Sequence, residues 1–403
     1  MAYNAGPRSA LGPGPHLAQS HATPTVNSSH PTHSPLGPPQ VGLGVLVTGG
    51  AGFLGSCLVA ELIARGARVV VMDDFSSGSR ARLGTEGPRL RIVEGDAGEA
   101  NTWQRALAAD PRPDRIVHLA GTVGVRRVLA DPDRCLRNHR LLAQALVEAW
   151  EGLPADRKPE VLCASSSEVY RESRSPLAET SPTLDAGEPR FGQGRWAYAR
   201  AKLATEARLA EAQIPALIVR LFNVVGPGQT ASSGMVLPRF IEAARAHRRL
   251  ALYGDGEQLR TYGHVRAVAA DLATLVLASH PVHGILNLGG MAQARTIDLA
   301  QAVLAGLGQA PDRVEWVDPT RSVSRDFEEV RHRVPDLTRA QSLGLVRSPW
   351  TLQAIVRDGL LHHPQAANRL DPPASHLPSP SHEHCPHPDP LESGRSREAG
   401  LSQ

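Results

Sequence analysis

Thr48-Gly49-Gly50-Ala51-Gly52-Phe53-Leu54-Gly55 is the stretch of sequence that decides the fold of this chain. The apolar run Val45-Leu46-Val47 precedes it and predicts a strand, and residues 54–65 follow it with the pattern of a helix. Glycines at such a turn permit a tight bend and let backbone N–H groups approach a ligand closely. With the positive end of the helix dipole, they form a site for a pyrophosphate. The predicted dinucleotide contacts are Gly49, Gly52, Phe53, Leu54 and Gly55.

An acidic residue follows the second predicted strand, Val69-Val70-Val71-Met72. A carboxylate at Asp73 can hydrogen-bond the adenosine ribose diol and would repel a 2′-phosphate, so the sequence favours NAD over NADP. Asp96 follows the third strand. It is either a contact to adenine or an ordinary turn residue at a strand end.

Short apolar strands alternate with helices of about ten or more residues through the centre of the chain, which indicates a parallel sheet covered on both faces. The later predicted strands are residues 90–93, 115–119, 161–164 and 216–219. We therefore predict an α/β, doubly wound parallel sheet (Rossmann fold) with ligands beyond the carboxyl ends of its strands. Residues 41–222 are expected to form mainly this NAD-binding domain. Residues 223–362 are expected to form mainly a smaller C-terminal substrate-binding lobe, with interleaved segments.

The two ends of the chain, residues 1–40 and 363–403, are rich in Pro, His, Ser and Gly. Such segments bury too little apolar surface to offset chain entropy, so both are predicted to be disordered tails. The stretch Ser381-His382-Glu383-His384-Cys385-Pro386-His387 carries possible metal ligands, but nothing rigid would hold them. We predict no metal site.

The bulk composition excludes several classes of function. The net charge is only +3 without a basic block, which argues against nucleic-acid or membrane-surface partners. Four cysteines without metal or redox spacing suggest a reducing compartment. Neither a secretory signal nor an apolar run of membrane-spanning length is evident. A soluble cytoplasmic protein is expected.

Tyr198-Ala199-Arg200-Ala201-Lys202 places a phenol and an ammonium four residues apart, on one face of a predicted helix. A phenol is a poor base at neutral pH, and a nearby positive charge is expected to lower its pKa. Such a phenol can take a proton from a sugar hydroxyl while hydride leaves for a nicotinamide. Ser166, in the serine-rich run after the strand at 161–164, could hydrogen-bond the reacting oxygen.

Several motifs together resemble the extended short-chain dehydrogenase/reductases, and among them the NAD-dependent epimerase/dehydratase group that acts on nucleotide sugars. The resemblance covers about residues 44–360. The motifs are the glycine loop, His118-Leu119-Ala120-Gly121, Ser165-Ser166-Ser167-Glu168-Val169-Tyr170, Tyr198-x-x-x-Lys202, Arg220-Leu221-Phe222-Asn223-Val224-Val225-Gly226-Pro227, the run from Leu252 to Arg260, and Arg333-Val334-Pro335-Asp336.

The resemblance implies a role for each matching residue. Ser166 matches the catalytic serine or threonine, Tyr198 the base, and Lys202 the lysine that also holds the nicotinamide ribose. Leu119 and Ala120 join the predicted cofactor contacts. Asn223 matches a contact to the substrate phosphates, and Arg260 and Arg333 match arginines that grip the diphosphate and the sugar or nucleotide. A homodimer is the usual assembly of the family.

The implied chemistry is oxidation of a sugar at C4 by NAD to a transient 4-keto sugar. A UDP-sugar 4-epimerase is the leading hypothesis. UDP-glucuronate decarboxylation is the alternative, because Glu168, the fourth candidate catalytic residue, resembles the decarboxylases. Dehydratases carry an Asp-Glu pair where this chain has Ser167-Glu168, so dehydration is disfavoured. An NAD(P)H-dependent ketone reductase would need no diphosphate clamp, and a non-catalytic NAD-binding protein would have no need of Ser166, Tyr198 and Lys202 together.

Overall fold

The described residues of the computed structural model are 35–185, 194, 196–318, 330–346 and 350–363, and they belong to one compact unit. Most of both predicted tails, including the histidine-rich stretch, lies outside these residues. Residues 35–40, which the sequence places in the first tail, are partly attached to the fold. Leu36 is buried and its carbonyl accepts a hydrogen bond from the His280 amide. The packed chain therefore begins earlier than the sequence predicts.

Strands and helices alternate in the first half as predicted. The strands are β1 Gly44–Thr48, β2 Arg68–Asp73, β3 Leu90–Glu94, β4 Arg115–His118, β5 Glu160–Ser166, β6 Ala216–Leu221, β7 Val224–Val225, β8 Leu250–Tyr253, β9 Leu259–His264, β10 Gly284–Leu288, β11 Ala292–Arg295, β12 Val314–Val317 and β13 His332–Arg333. The helices are α1 Phe53–Ala64, α2 Ala100–Leu107, α3 Val125–Ala130, α4 Pro132–Glu151, α5 Trp196–Glu211, α6 Val236–Arg245, α7 Val265–Val276, α8 Thr296–Gly306, α9 Thr338–Ser342 and α10 Leu352–His362.

The main sheet has seven parallel strands in the order β3-β2-β1-β4-β5-β6-β10. The chain leaves β1 toward β2 and β3 and then returns to the other side of β1 with β4. This reversal creates a crevice at the carboxyl ends of β1 and β4, where doubly wound sheets bind their ligands. The predicted fold class is confirmed.

Apolar clusters cover both faces of the main sheet, because its strands are hydrophobic throughout. Leu58 of α1 and Leu272 of α7 belong to the cluster on one face. Trp103 of α2, Leu146 of α4 and Leu209 of α5 belong to the cluster on the other. The helices that carry the predicted cofactor and catalytic residues are thus fixed against the sheet by buried apolar side chains.

The second half builds smaller sheets around a separate apolar cluster that includes Phe240, Leu299 and Val356. Strand β9 lies between β11 and β13 and also pairs with β7, while β8 pairs with β12. Strand β10 and helix α7 return to the main sheet, so the two halves interleave.

The described ranges hold neither a candidate membrane span nor a candidate metal site. None of the helices there is long and apolar enough to cross a bilayer. Those ranges also contain no group of three or more His, Cys, Asp or Glu residues arranged to hold a metal ion.

Candidate active site

The glycine loop joins β1 to α1 at the carboxyl edge of the main sheet. Gly49 has a φ of 69°, a left-handed conformation that favours glycine. A Cβ atom on Gly55 would lie 2.2 Å from the Gly49 carbonyl oxygen, so the loop is closed too tightly for a side chain there. Gly52 is the N-cap residue that directly precedes α1, and no side chain caps the start of this helix. The first N–H groups of a helix lack intrahelical partners, which leaves them available to an anionic ligand.

Asp73 fastens this loop to the end of β2. Its Oδ2 accepts a hydrogen bond of 2.8 Å from the Ala51 amide, and its Oδ1 accepts one of 2.9 Å from the Phe75 amide. Burial raises the pKa of this carboxyl group, and the two backbone donors oppose the shift. An ionised carboxylate has about four acceptor positions, so both oxygens retain capacity for a ribose diol. The glycine turn and Asp73 therefore fit NAD.

The segment after β4 completes the wall beside the glycine loop. The Leu119 amide donates to the Thr48 carbonyl at 3.1 Å, and the Ala120 amide donates to the Thr48 hydroxyl at 3.2 Å. A Cβ atom on Gly49 would lie 2.9 Å from the Ala120 nitrogen. The structure thus places Leu119 and Ala120 next to the glycine loop, as the resemblance implies.

Asp96 is exposed beyond β3, and its Oδ1 accepts a hydrogen bond of 2.7 Å from the Gly98 amide. This hydrogen bond is typical of an ordinary turn at a strand end, which is one of the two interpretations that the sequence left open. Contact with adenine stays a prediction for Asp96.

We predict that Gly55→Ala weakens NAD binding. The added methyl group overlaps the Gly49 carbonyl oxygen, and relief of such an overlap typically costs about 1–3 kcal/mol and displaces the backbone that holds the pyrophosphate. Titration calorimetry with NAD measures the change. Gly84→Ala is the matched control, because nothing lies within 4 Å of a Cβ atom at Gly84. Equal NAD affinity in the two variants would contradict the assignment of the loop.

Ser166, Tyr198 and Lys202 meet at the carboxyl end of β5. A hydrogen bond joins the Ser166 hydroxyl to the Tyr198 phenol. The Lys202 ammonium donates to the Ala164 carbonyl at 2.8 Å and lies 5.8 Å from the centre of the Tyr198 ring. Ser166 and Lys202 are both buried, whereas Tyr198 keeps partial exposure. Three of the four predicted catalytic residues are therefore brought together, and the fourth is Glu168.

The charge environment of Tyr198 differs from the expectation. Burial raises the pKa of its phenol, the negative charge of Glu168 raises it further, and the hydrogen bond from Ser166 opposes the shift. Burial also lowers the pKa of Lys202. The prediction that Lys202 brings the pKa of Tyr198 below its ordinary value is therefore wrong, because that pKa is raised. Burial and the neighbouring carboxylate set the direction of the shift.

The predicted substrate contacts gather on the small sheet around β9. Arg260 of β9 and Arg333 of β13 are register partners on adjacent strands. The Asn223 amide nitrogen donates to the Thr261 carbonyl at 3.1 Å, beside Arg260. The Arg260 guanidinium donates to main-chain carbonyls, including that of Arg331 at 3.2 Å. Contact of these residues with a substrate stays a prediction.

Glu168 connects the two groups of residues. Its carboxylate accepts a hydrogen bond from Arg333, whose side chain is only 3% exposed, and its charge acts on Tyr198. The sequence proposed Glu168 and Arg333 separately, and their pairing was not foreseen. A buried cation and a carboxylate thus stand beside the candidate base.

A second ion pair that the sequence reasoning missed lies behind Lys202. Glu206 accepts from the Arg220 Nε at 3.1 Å and from its Nη2 at 2.6 Å, and it also accepts from the Ser165 hydroxyl. Its position four residues after Lys202, on the same helix face, is the signal that could have indicated it. The pair ties α5 to the ends of β5 and β6, next to Ser166.

A histidine forms one side of the Tyr198 environment. The His139 ring contacts the Tyr198 ring edge-on, with centroids 5.9 Å apart. Burial lowers the pKa of His139 to about 3, and the positive charge of Lys202 contributes. The ring is therefore neutral at physiological pH and packs against the phenol without adding charge.

Comparison with known proteins agrees with this geometry. A family model described as the NAD dependent epimerase/dehydratase family matches residues 45–289, more than half of the chain. The UDP-N-acetyl-alpha-D-glucosaminuronate decarboxylase of Bacillus cytotoxicus is 29% identical over 307 residues, which cover 74% of this chain and 90% of that protein. The UDP-glucuronic acid decarboxylase 2 of Arabidopsis thaliana is 28% identical over 335 residues, which cover 81% of this chain and 68% of that protein.

A solved structure resembles the fold as a whole. The UDP-N-acetylglucosamine 4-epimerase of Methanobrevibacter ruminantium, in complex with UDP-N-acetylmuramic acid, matches with a TM-score of 0.67 and 25% identity, covering 80% of this chain and 98% of the other. The resemblance inferred from the motifs is confirmed. This chain belongs to the NAD dependent epimerase/dehydratase family and is an enzyme that uses NAD.

Proposed function

We propose that this enzyme oxidises a nucleotide hexuronate of the UDP-glucuronate type at C4 and decarboxylates it to a nucleotide pentose. The observation that carries the proposal is the pairing of Glu168, which is partly exposed, with the buried Arg333 beside Tyr198. A 4-epimerase needs a base at C4 and room for the keto sugar to turn, and neither requirement uses a carboxyl group beside that base. Decarboxylation uses both an anion-binding cation and a proton donor.

Arg333 suits the hexuronate carboxylate because a guanidinium pairs with carboxylates through a planar fork of donors. The pairing with Glu168 indicates that this side of the site accommodates a carboxylate against the cation. A substrate carboxylate at C6 can bind the same cation. The charge of Glu168 would otherwise repel that anion, and Arg333 neutralises it.

Tyr198 takes the proton of the C4 hydroxyl and returns it at the end of the cycle, while Ser166 orients that oxygen. NAD, which the glycine loop and Asp73 would hold, would supply the acceptor for the C4 hydride and its donor on return. Once C4 is a ketone, the C6 carboxylate is part of a β-keto acid. Its C5–C6 bond breaks, CO₂ leaves and the electron pair remains as an enolate. Glu168, a carboxylate while it pairs with Arg333, then relays a proton taken up from solvent to C5, and this external proton balances the loss of CO₂ from the carboxylate.

The relatives also favour this order of hypotheses. Two of the curated proteins described above are hexuronate decarboxylases, and one of them is matched over 90% of its length. UDP-sugar 4-epimerisation, the leading hypothesis from the sequence, becomes the second candidate. The similarity to the 4-epimerase structure favours it.

Separate incubations with UDP-glucuronate, UDP-glucose and dTDP-glucose, without added NAD, test the proposal. We expect CO₂ and a UDP-pentose from UDP-glucuronate, identified by chromatography and mass, since oxidation is transient and the cofactor is recycled. An epimer from UDP-glucose with no release of CO₂ would favour the second candidate. A stoichiometric requirement for fresh NAD would contradict both.

We predict that Glu168→Gln lowers decarboxylation by about 10²-fold, within the usual contribution of a general acid. The amide keeps the size of the side chain but cannot supply the proton. Single-turnover release of CO₂ measures the effect, and NAD affinity should be unchanged. Glu257→Gln, at an exposed pair with Arg295, is the matched control. Wild-type release of CO₂ by Glu168→Gln would remove Glu168 from the mechanism.

A further inference from the structure

Asn287 of β10 is a fully buried amide whose two ends bond to different parts of the chain. Its Oδ1 accepts a hydrogen bond of 2.7 Å from the Tyr170 hydroxyl. Its Nδ2 donates to the Leu177 carbonyl at 2.8 Å and to the Asp336 carbonyl at 3.4 Å. The exposed fraction of Asn287 is 0%. Burying an amide is costly unless its polar atoms are paired, so these contacts are strongly held.

The first end of this amide leads to Glu168. Residues 167–169 form a single 3₁₀ turn at the end of β5, and Tyr170 follows it directly. The Tyr170 side chain is buried, and the Arg220 guanidinium lies 4.7 Å from the centre of its ring. The hydroxyl bond to Asn287 therefore fixes the turn that carries Glu168.

The second end leads to Arg333. The Leu177 amide donates to the Val334 carbonyl, and the Asp336 amide donates to the Leu177 carbonyl, both at 2.8 Å. The strand that carries Arg333 thus continues into a segment that is hydrogen-bonded to Leu177. Asn287 donates to the Leu177 carbonyl on one side of this connection and to the Asp336 carbonyl on the other. One side chain in the main sheet is therefore hydrogen-bonded to the segments that flank both partners of the Glu168–Arg333 pair.

We propose that Asn287 and Tyr170 are positioning residues that hold Arg333 against Glu168. A guanidinium–carboxylate hydrogen bond needs defined geometry, and Glu168 acts on Tyr198 through its charge. If the Tyr170 hydroxyl is lost, the turn that carries Glu168 loses its hydrogen bond to Asn287, and Asn287 no longer connects that turn to the Arg333 segment. The catalytic consequence rests on the proposed function, whereas the structural link does not.

A double-variant cycle in kcat tests the role. Tyr170→Phe should lower kcat for UDP-glucuronate decarboxylation roughly tenfold in the wild type, but less than about twofold in a Glu168→Gln background, because coupled residues are non-additive. Tyr262→Phe is the matched control. It is another buried tyrosine outside this network, and its effect should be small and equal in both backgrounds. Equal losses from Tyr170→Phe in the two backgrounds would overturn the proposal.

The same cycle in urea unfolding gives a readout that needs no substrate. The losses of unfolding free energy from Tyr170→Phe and Glu168→Gln should be less than additive, while those from Tyr262→Phe and Glu168→Gln should add. Additive losses for the first pair would overturn the link. Failure of the wild type to release CO₂ would overturn only the proposed reaction, and the unfolding cycle would still decide the positioning role.

Discussion

Replacing Tyr198 with Phe is expected to lower kcat by about 10²–10⁴-fold, the range of a general base, while NAD remains bound. The phenylalanine ring can keep the edge-on contact with His139, and Lys202 keeps its bond to the Ala164 carbonyl. Only the hydroxyl that hydrogen-bonds Ser166 is removed. Turnover of UDP-glucuronate and of UDP-glucose measures the first effect, and calorimetry with NAD measures the second.

The pH profile identifies the base more sharply. Burial and the charge of Glu168 raise the pKa of Tyr198, so the phenolate is the minor form at neutral pH. Since the base must be deprotonated, kcat/KM of the wild type should rise with pH through the neutral and alkaline range. That rise should disappear in Tyr198→Phe. If Tyr198→Phe retained activity with an unchanged profile, the base would be misassigned.

The sequence predicted those parts of the site whose residues lie close together along the chain. The glycine loop, Asp73 at a strand end, and Tyr198 with Lys202 one helical turn later each depend on residues near in sequence. Periodicity and turn chemistry fix such placements before any tertiary contact is known. The doubly wound parallel sheet followed in the same way, because apolar strands that alternate with helices indicate parallel strands covered on both faces.

The rest of the site depends on contacts between distant residues. Tyr170 and Asn287 lie 117 positions apart, and nothing in the local pattern of either indicates a bond. Glu168 and Arg333 lie 165 positions apart, and only the folded chain places them in contact. The pKa of Tyr198 was misjudged for the same reason. Burial and Glu168 act through tertiary packing, whereas the spacing to Lys202 is visible in the sequence.

The buried Arg220–Glu206 pair carries the largest expected effect on stability. The exposed fractions of the two side chains are 4% and 12%. Glu206→Leu leaves the Arg220 cation buried without its counter-charge and removes the acceptor of the Ser165 hydroxyl. Loss of one partner of a buried pair typically costs about 3–5 kcal/mol. We expect a loss of that size in the free energy of unfolding, measured with urea.

Two further variants separate the buried charge from other consequences of the substitution. Adding Arg220→Met to Glu206→Leu should recover part of the lost unfolding free energy, because an apolar pair leaves no uncompensated cation. Glu257→Leu removes the partner of Arg295 from a pair whose side chains are about half exposed, and it should cost at most about 1 kcal/mol. If Glu206→Leu were no more destabilising than Glu257→Leu, the pair would contribute little to the fold. Its position behind Lys202 would then have to be explained by catalysis alone.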